Sequence, residues 1–165
     1  MSYLIKGGVS LILLSLCVIT LRGYTKFIKK RQRISREMLS VLEIIRRGIS
    51  TNLMIPRECL RLDGGDFSEE IFAFCDAVRG GATLYDASAP IRRRSMLSGE
   101  CAARLSEYFR DFGRGYLDDE ICRADEIISF LRKRLDLEEA EAVRDAKVFK
   151  SVAVAITLGA IILII

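Results

Sequence analysis

Both ends of this chain are apolar, and every acidic residue lies between them. The runs 7–21 and 151–165 contain no charged side chain, and all 22 Asp and Glu fall within 37–150. A helix that crosses a bilayer needs about 20 mostly apolar residues. Tyr3, Leu4 and Ile5 extend the first run if the Lys6 side chain reaches out to the headgroups. We therefore predict transmembrane helices at 3–21 and 151–165, with a water-soluble domain at 22–150.

Other readings of the two runs fit less well. A cleaved signal peptide needs small residues at its cleavage site, and none follows Leu21. A lipoprotein cleavage site at Cys17 needs a small residue where Leu16 stands. The last run could instead be a helix end buried in the soluble core, but it has no polar face and the middle has little apolar surface to cover it. We expect both runs to insert into lipid, because a helix satisfies its own backbone there.

The segment 22–36 after the first run is strongly basic, and we call it the collar. Its basic residues are Arg22, Lys26, Lys29, Lys30, Arg31, Arg33 and Arg36. Arg144, Lys147 and Lys150 precede the second run. Basic flanks remain in the cytoplasm, so we expect a cytoplasmic middle and external termini. Anionic lipid headgroups explain the collar better than nucleic acid does, since each basic residue near such a surface contributes about 1 kcal/mol.

Apolar residues recur every three or four positions through the middle, which predicts helices throughout. The first helix should leave the membrane, run through the collar and end near Gly48, with a break at 50–52. A short helix should follow from Pro56 to Leu62, and a turn at 63–66. Asp66 with Glu69 resembles a capping box for a helix that buries, among others, Phe72.

Glycines and capping residues delimit the remaining helices. One helix should end at Gly80-Gly81, Thr83 should cap a short helix, and Ser98 should cap another that ends at Gly113 and Gly115. Asp118-Asp119-Glu120 should open the last helix, which could continue unbroken into the final apolar run for about 70 Å. The predicted fold is all-α: a helical bundle whose first and last helices continue as neighbours into N- and C-terminal transmembrane segments.

The residues that usually carry catalysis are scarce. The chain has no His, which removes the commonest general base, and its five Cys show no metal-binding spacing. We read Cys59, Cys75, Cys101 and Cys122 as core or helix-face thiols of a reducing compartment; a thiol enzyme would need a base other than His. We expect no enzymatic activity, no cofactor and no metal. Arg92, Arg93 and Arg94 could form a charged rim of a partner-binding surface, or otherwise a solvated loop. Glu138, Glu139 and Glu141 could form a second charged rim.

The layout resembles the stage III sporulation protein AB family of endospore-forming bacteria. The similarity is strongest where Leu105, Phe109 and Phe112-Gly113 are followed by Tyr116, and where a long charged helix ends in an apolar tail after Phe149-Lys150. The segment from Val41-Leu42 through Ile45 is similar as well, and 56–60 looks like the family's Pro-x-Glu-Ala segment. The family's second Gly is Leu117 here, with Gly115 two positions earlier. Its Asp corresponds to Glu120, and Arg47 replaces a common Tyr.

The resemblance implies a function and a location. The family's soluble domain is similar to the cytoplasmic helical domains of the inner-membrane platform protein of type II secretion and type IV pilus systems. The implied role is a non-enzymatic platform in a channel complex, which docks a motor ATPase of the sporulation operon and other channel membrane proteins. The implied location is the cell membrane on the mother-cell side, in the outer forespore membrane. The resemblance also implies a helix break at Phe112, Gly113 and Gly115.

The residues themselves leave a second function open. A membrane-anchored adaptor or scaffold that recruits an unrelated cytoplasmic signalling protein would have the same anchors and helical middle. Neighbouring genes would distinguish the two: sporulation genes favour the channel platform, and a kinase or receptor gene favours the adaptor. A second copy of the chain, in a homo-oligomer, is a further candidate partner.

Overall fold

Helices make up the regular structure of the computed structural model, which describes residues 2–52, 55–62, 67–93 and 97–164. No strand occurs within those ranges. This confirms the all-α class. In chain order the helices of the described residues are α1 (Ser2–Asn52), α2 (Pro56–Leu62), α3 (Glu69–Arg79), α4 (Leu84–Ala87), α5 (Ala89–Arg93), α6 (Gly99–Asp111) and α7 (Leu117–Ile164).

The chain forms two compact units, and both α1 and α7 contribute to each. The terminal unit consists of Met1–Lys29 with Glu138–Ile165, and the bundle consists of Lys30–Leu137. In the terminal unit the segments of α1 and α7 lie side by side, with the rings of Tyr24 and Phe149 5.5 Å apart. Large apolar side chains are exposed on this unit, namely Val18, Ile19, Phe27, Val152 and Ile156.

Within the residues that the structure describes, no helix combines the length and the hydropathy that a bilayer crossing requires. Most side chains of the apolar runs 7–21 and 151–165 lie outside the described residues.

The bundle is built around one apolar face of α1. Its buried residues recur at three- and four-residue steps, as a helix with one covered face requires. Phe74 of α3 stacks on Phe109 of α6 inside the core, with ring centroids 5.7 Å apart. Each large apolar side chain buried in this way contributes roughly 1.5–3 kcal/mol. The buried α1 residues are Ile34, Met38, Val41, Leu42, Ile45 and Ile49, and α7 contributes Ala124, Ile127, Ile128, Leu131 and Leu135.

The predicted end of α1 near Gly48 is wrong, since the helix continues to Asn52. Gly48 instead lies where α2 crosses α1: a Cβ added there would meet Cys59 Sγ at 2.1 Å. Ser50 does not break the helix, because its hydroxyl donates to the carbonyl oxygen of Arg47 at 3.1 Å. A Ser that bonds to the preceding turn is compatible with continued helix.

The start of α3 also differs from the prediction. The turn at 63–66, with Asp66 of the predicted capping box, lies outside the described residues. The helix begins at Glu69 with Ser68 as N-cap, and Ser68 makes no side-chain cap bond. Ser68 instead donates its backbone N–H to Glu37 Oε2 of α1 at 2.8 Å, and its hydroxyl donates to the same oxygen. The Glu37 carboxylate of α1 therefore accepts both hydrogen bonds that Ser68 donates at the start of α3.

The remaining local predictions are mostly confirmed. Thr83 Oγ1 accepts from the Asp86 backbone N–H at 3.1 Å, and Ser98 Oγ accepts from that of Cys101 at 3.4 Å. The α3 helix ends at Arg79, and Gly81 that follows has a positive φ of 100°, a conformation that glycine adopts without strain. Phe72, which was predicted to be buried, is exposed on α3.

Ion pairs join α1 to α7 in the bundle. Arg46 donates two hydrogen bonds of 2.9 Å to the Asp125 carboxylate, and Arg132 lies 2.6 Å from Glu43. Later residues of α1 thus pair with earlier residues of α7, so the two helices are antiparallel here. These pairs are exposed and contribute at most about 1 kcal/mol each, so their main effect is on register.

Candidate functional site

Three collar residues belong to the terminal unit. Arg22, Lys26 and Lys29 are exposed and are spaced four and three positions apart, which places them on one face of α1. Such a face can meet an anionic surface without disturbing the packing of the helix.

The other collar residues belong to the bundle, and two of them make ion pairs within it. Lys30 Nζ lies 2.5 Å from Glu70 Oε1 of α3, and Arg33 Nε lies 2.6 Å from Glu37 Oε1. Arg36 is exposed and Arg31 is half-buried. Lys30 and Arg33 therefore have structural roles in addition to any contact with lipid.

The first residue of the predicted arginine rim is used inside the fold. Arg92 lies on α5 and not on a solvated loop, so that part of the prediction is wrong. Its guanidinium donates to Ser106 Oγ at 2.8 Å and to the carbonyl oxygen of Tyr85 at 3.1 Å, and lies 3.9 Å from the centroid of the Tyr85 ring. Arg92 thus joins α4, α5 and α6. Arg94 and the side chain of Arg93 lie outside the described residues.

The predicted acidic rim lies on α7 in the terminal unit. Glu138 and Glu139 are half-buried and Glu141 is exposed. These carboxylates belong to the terminal unit, and Arg92 belongs to the bundle.

The helix break at Phe112, Gly113 and Gly115 is organised by a buried carboxylate. Glu120, in the first turn of α7, accepts at Oε1 from the backbone N–H of Gly113 at 3.1 Å and of Gly115 at 3.2 Å. Gly113 has a φ of 82°, a backbone conformation that residues other than Gly rarely adopt. Glu120 was expected to open α7 with Asp118 and Asp119 as negative charge in its first turn, and the structure places it there with its side chain buried. Its carboxylate fixes the connection between α6 and α7.

An aromatic group adjoins this connection. The ring of Tyr108 is buried, and its centroid lies 5.7 Å from those of Phe109 and of Phe112. Burial raises the pKa of the Tyr108 phenol, and the negative charge of Glu120 raises it further. The phenol therefore stays neutral in ordinary buffers, and Tyr108 acts as a structural residue of the core.

Two cavities open at the end of the bundle where α1 ends and α7 begins, and we call them together the end groove. The larger has a volume of about 610 Å³ and the smaller about 280 Å³. Both are lined by Ile55, Pro56 and Phe112. Val78, Leu84 and Phe109 add apolar surface to the larger cavity, and Leu117 to the smaller. The helix break of the sequence analysis therefore forms one wall of a surface depression.

Arginines surround the larger cavity. Arg57, Arg110 and Arg114 line it, and no acidic side chain of the described residues does. The hydrogen bond and charge of Arg92, with a smaller contribution from the charge of Arg110, lower the pKa of the Tyr85 hydroxyl at the same cavity. The larger cavity therefore combines an apolar floor with positive charge.

Sequence reasoning did not find the end groove. Its lining comes from α1, α2, α3, α4, α6, α7 and the connections between them, and several of these are far apart along the chain. The one local signal is Ile55, an apolar residue before Pro56 that is 57% exposed in the structure.

The thiols are placed as predicted. Cys59, Cys75 and Cys101 are buried and Cys122 is exposed on α7. Burial raises the pKa of the Cys59 thiol, which favours its protonated form. In the described parts of the chain, no group of three or more Cys, Asp or Glu is arranged to hold a metal ion.

Comparison with known proteins gives no relative. The chain matches no family model, no curated protein and no solved structure.

Proposed function

We propose that this chain is a non-enzymatic, membrane-attached docking protein. In this proposal the terminal unit inserts into the bilayer and the bundle presents a cytoplasmic surface to other proteins. The resemblance to the stage III sporulation protein AB family supplies the setting: a channel complex in which the bundle docks a motor ATPase and other membrane components.

The pairing of α1 with α7 in the terminal unit carries the proposal. The contact between Tyr24 and Phe149 brings together the two ends of the chain that hold the uncharged runs. Val18, Ile19 and Ile156 of this unit are exposed. Apolar side chains grouped in this way are costly in water and favourable in lipid. The absence of charge from 7–21 and 151–165 supports the same location.

Membrane insertion can be tested by extraction. The full chain should stay with the membrane after alkaline carbonate treatment and should be released by detergent. A variant with Ile156→Asp should be extracted more easily, because a carboxylate near the centre of the predicted span 151–165 costs roughly 2.5–3.5 kcal/mol. Release of the unaltered chain by carbonate would refute insertion.

The orientation can be tested with the exposed thiol of Cys122. A maleimide that does not cross membranes should label Cys122 in permeabilised cells and leave it unlabelled in intact cells. The Cys122→Ser variant gives the background from the other four thiols. Labelling of Cys122 in intact cells would place the bundle on the wrong side of the membrane for a cytoplasmic partner.

The partner can be tested by co-purification. The full chain in mild detergent should retain the ATPase encoded beside it, and deletion of the gene should block sporulation. If the ATPase does not bind and sporulation is intact, the channel role fails even where membrane insertion holds.

A further inference from the structure

The larger cavity of the end groove is lined by arginines and by no acidic side chain of the described residues. Glu120 lines the smaller cavity, where it is buried and accepts hydrogen bonds from Gly113 and Gly115. Arg57 and Arg110 make no ion pair with any residue that the structure describes, and both are exposed. Arg114 lies 3.1 Å from Asp111, with 70% of its side chain exposed. The guanidinium groups of Arg57 and Arg110 are therefore available to carboxylates from outside the chain.

Apolar surface lies beside this charge. Ile55 is 57% exposed and Leu117 is 42% exposed, and both line the groove. Tyr116, next to Leu117, is 86% exposed. Phe109 and Phe112 contribute the aromatic floor. An apolar depression with a charged edge is the usual form of a protein-binding site, in which an apolar anchor is buried and the charges select the partner.

We propose that the end groove binds an acidic amphipathic segment of a partner protein. In this proposal the segment buries one or two large apolar side chains against Ile55 and Phe112, and its carboxylates meet Arg57 and Arg110. The inference deepens the proposed function. It rests on that proposal for one point, which is that the partner is a cytoplasmic protein.

The chemistry of the groove favours this occupant over others. A phosphate headgroup would satisfy the arginines but leave the apolar floor in water. A basic or neutral segment would leave Arg57 and Arg110 without a counter-charge in the contact. An amphipathic acidic helix or extended segment satisfies both features at once.

The test uses the full chain in lipid nanodiscs and two synthetic helical peptides of about 18 residues. One peptide carries Leu and Phe on one face with Glu on both sides, and the other has Lys in place of each Glu. The Glu peptide should bind by fluorescence anisotropy, and the Lys peptide should bind at least about tenfold more weakly. Arg110→Glu and Arg57→Glu should each weaken the Glu peptide about tenfold, and together they should strengthen the Lys peptide.

Lys133→Glu is the matched control, because Lys133 is an exposed cation of α7 that lines neither cavity. It should leave both affinities within about twofold. Hydrogen exchange should slow at 109–117 when the Glu peptide is bound. No binding of the Glu peptide, equal binding of the two peptides, or an equal effect of Lys133→Glu would overturn the inference.

Other occupants would give different results. Self-association that Arg110→Glu abolishes would assign the groove to a second copy of the chain, and competition by anionic disc lipid that depends on Arg110 would assign it to headgroups; either overturns the inference. Vesicle flotation of the detergent-purified chain, measured beside peptide binding by the same chain in detergent, separates the two proposals. If the chain floats with vesicles but does not bind the Glu peptide, only the proposed binding of an acidic segment is refuted. If it binds the Glu peptide but does not float, only the proposed membrane attachment is refuted.

Discussion

Gly48 lies against Cys59 of α2, with no room for one added carbon atom. A glycine inside a helix costs about 1 kcal/mol relative to Ala, and here the close approach of α1 and α2 offsets that cost. The residue therefore serves packing and not helix termination.

We predict that Gly48→Ala destabilises the bundle by about 1–3 kcal/mol, because the new Cβ would overlap Cys59 Sγ. Urea unfolding of the full chain in detergent, followed by circular dichroism, measures the change. In a Cys59→Ala background the same substitution should cost much less, because the overlapping sulfur is gone. Gly99→Ala is the control, since nothing lies within 4 Å of a Cβ added there. Equal effects in both backgrounds would show that the clash is not the cause.

Glu120 is a second residue with an unexpected role. Glu120→Ala should leave the N–H groups of Gly113 and Gly115 without their acceptor, at a cost of about 1–3 kcal/mol. Hydrogen exchange of a peptide that covers 112–117 should become faster. Glu126→Ala, which removes an exposed carboxylate of the same helix, should leave that exchange rate unchanged. Unchanged exchange in Glu120→Ala would mean that the connection does not depend on the carboxylate.

The two residues show where sequence reasoning stops. Thr83 and Ser98 were predicted correctly as caps because each binds an N–H three positions away. The role of Gly48 depends on its contact with Cys59 of α2. The role of Glu120 depends on the backbone N–H groups of Gly113 and Gly115, in the connection that precedes α7. Those contacts become visible only when the helices are packed.

At the scale of elements, the start of α3 depends on α1. The Ser68 backbone N–H and hydroxyl both donate to Glu37, and Arg33 lies 2.6 Å from the same carboxylate. Burial raises the pKa of the Glu37 carboxyl, but the hydrogen bonds from Ser68 and the pairing with Arg33 outweigh it and leave the pKa lowered. The ionised form is therefore favoured in the folded bundle.

The lowered pKa of Glu37 determines the direction in which the stability of the bundle changes with pH. A group with a depressed folded-state pKa stabilises the fold above its ordinary value, here 4.5, and loses that contribution as the pH falls through the folded value. The stability difference between the unaltered chain and Glu37→Gln should therefore be largest at neutral pH and shrink below pH 4.5. Urea midpoints at a series of pH values measure it, and Ser68→Ala should reduce the same difference. A constant difference across the series would contradict the assignment.

The helical class and most helix limits follow from periodicity and local caps, whereas the end groove does not. Its walls join Pro56 of α2 with Tyr85 of α4 and Phe112 after α6. Arg92 illustrates the same limit. Three consecutive arginines favour a solvated loop on composition, but contacts with Ser106 and Tyr85 hold Arg92 in a helix.

At the scale of the whole molecule, the first and last helices contact each other within the terminal unit. Tyr24 and Phe149 are distant in sequence but their rings are 5.5 Å apart in the terminal unit. Apolar composition at both ends favours this pairing, since both segments were expected to lie in one bilayer.

We predict that Tyr24→Cys with Phe149→Cys can be joined by a short bifunctional thiol reagent within one chain. The experiment uses the full chain in membranes, with Cys17→Ala and Cys122→Ser to remove other reactive thiols, and mass spectrometry identifies the product. Lys26→Cys with Phe149→Cys is the control, because Lys26 points about 200° around α1 from Tyr24. Equal yields for the two pairs would contradict the observed packing.

The antiparallel contact of α1 with α7 has a consequence for synthesis on the ribosome. Arg46 and Asp125 are 79 positions apart, so translation at about 5–20 residues per second separates their appearance by roughly 4–16 s. During that interval the side of α1 that later meets α7 stays uncovered in the nascent polypeptide. We therefore expect chaperone contacts with the emerging chain to cease only after α7 has left the exit tunnel.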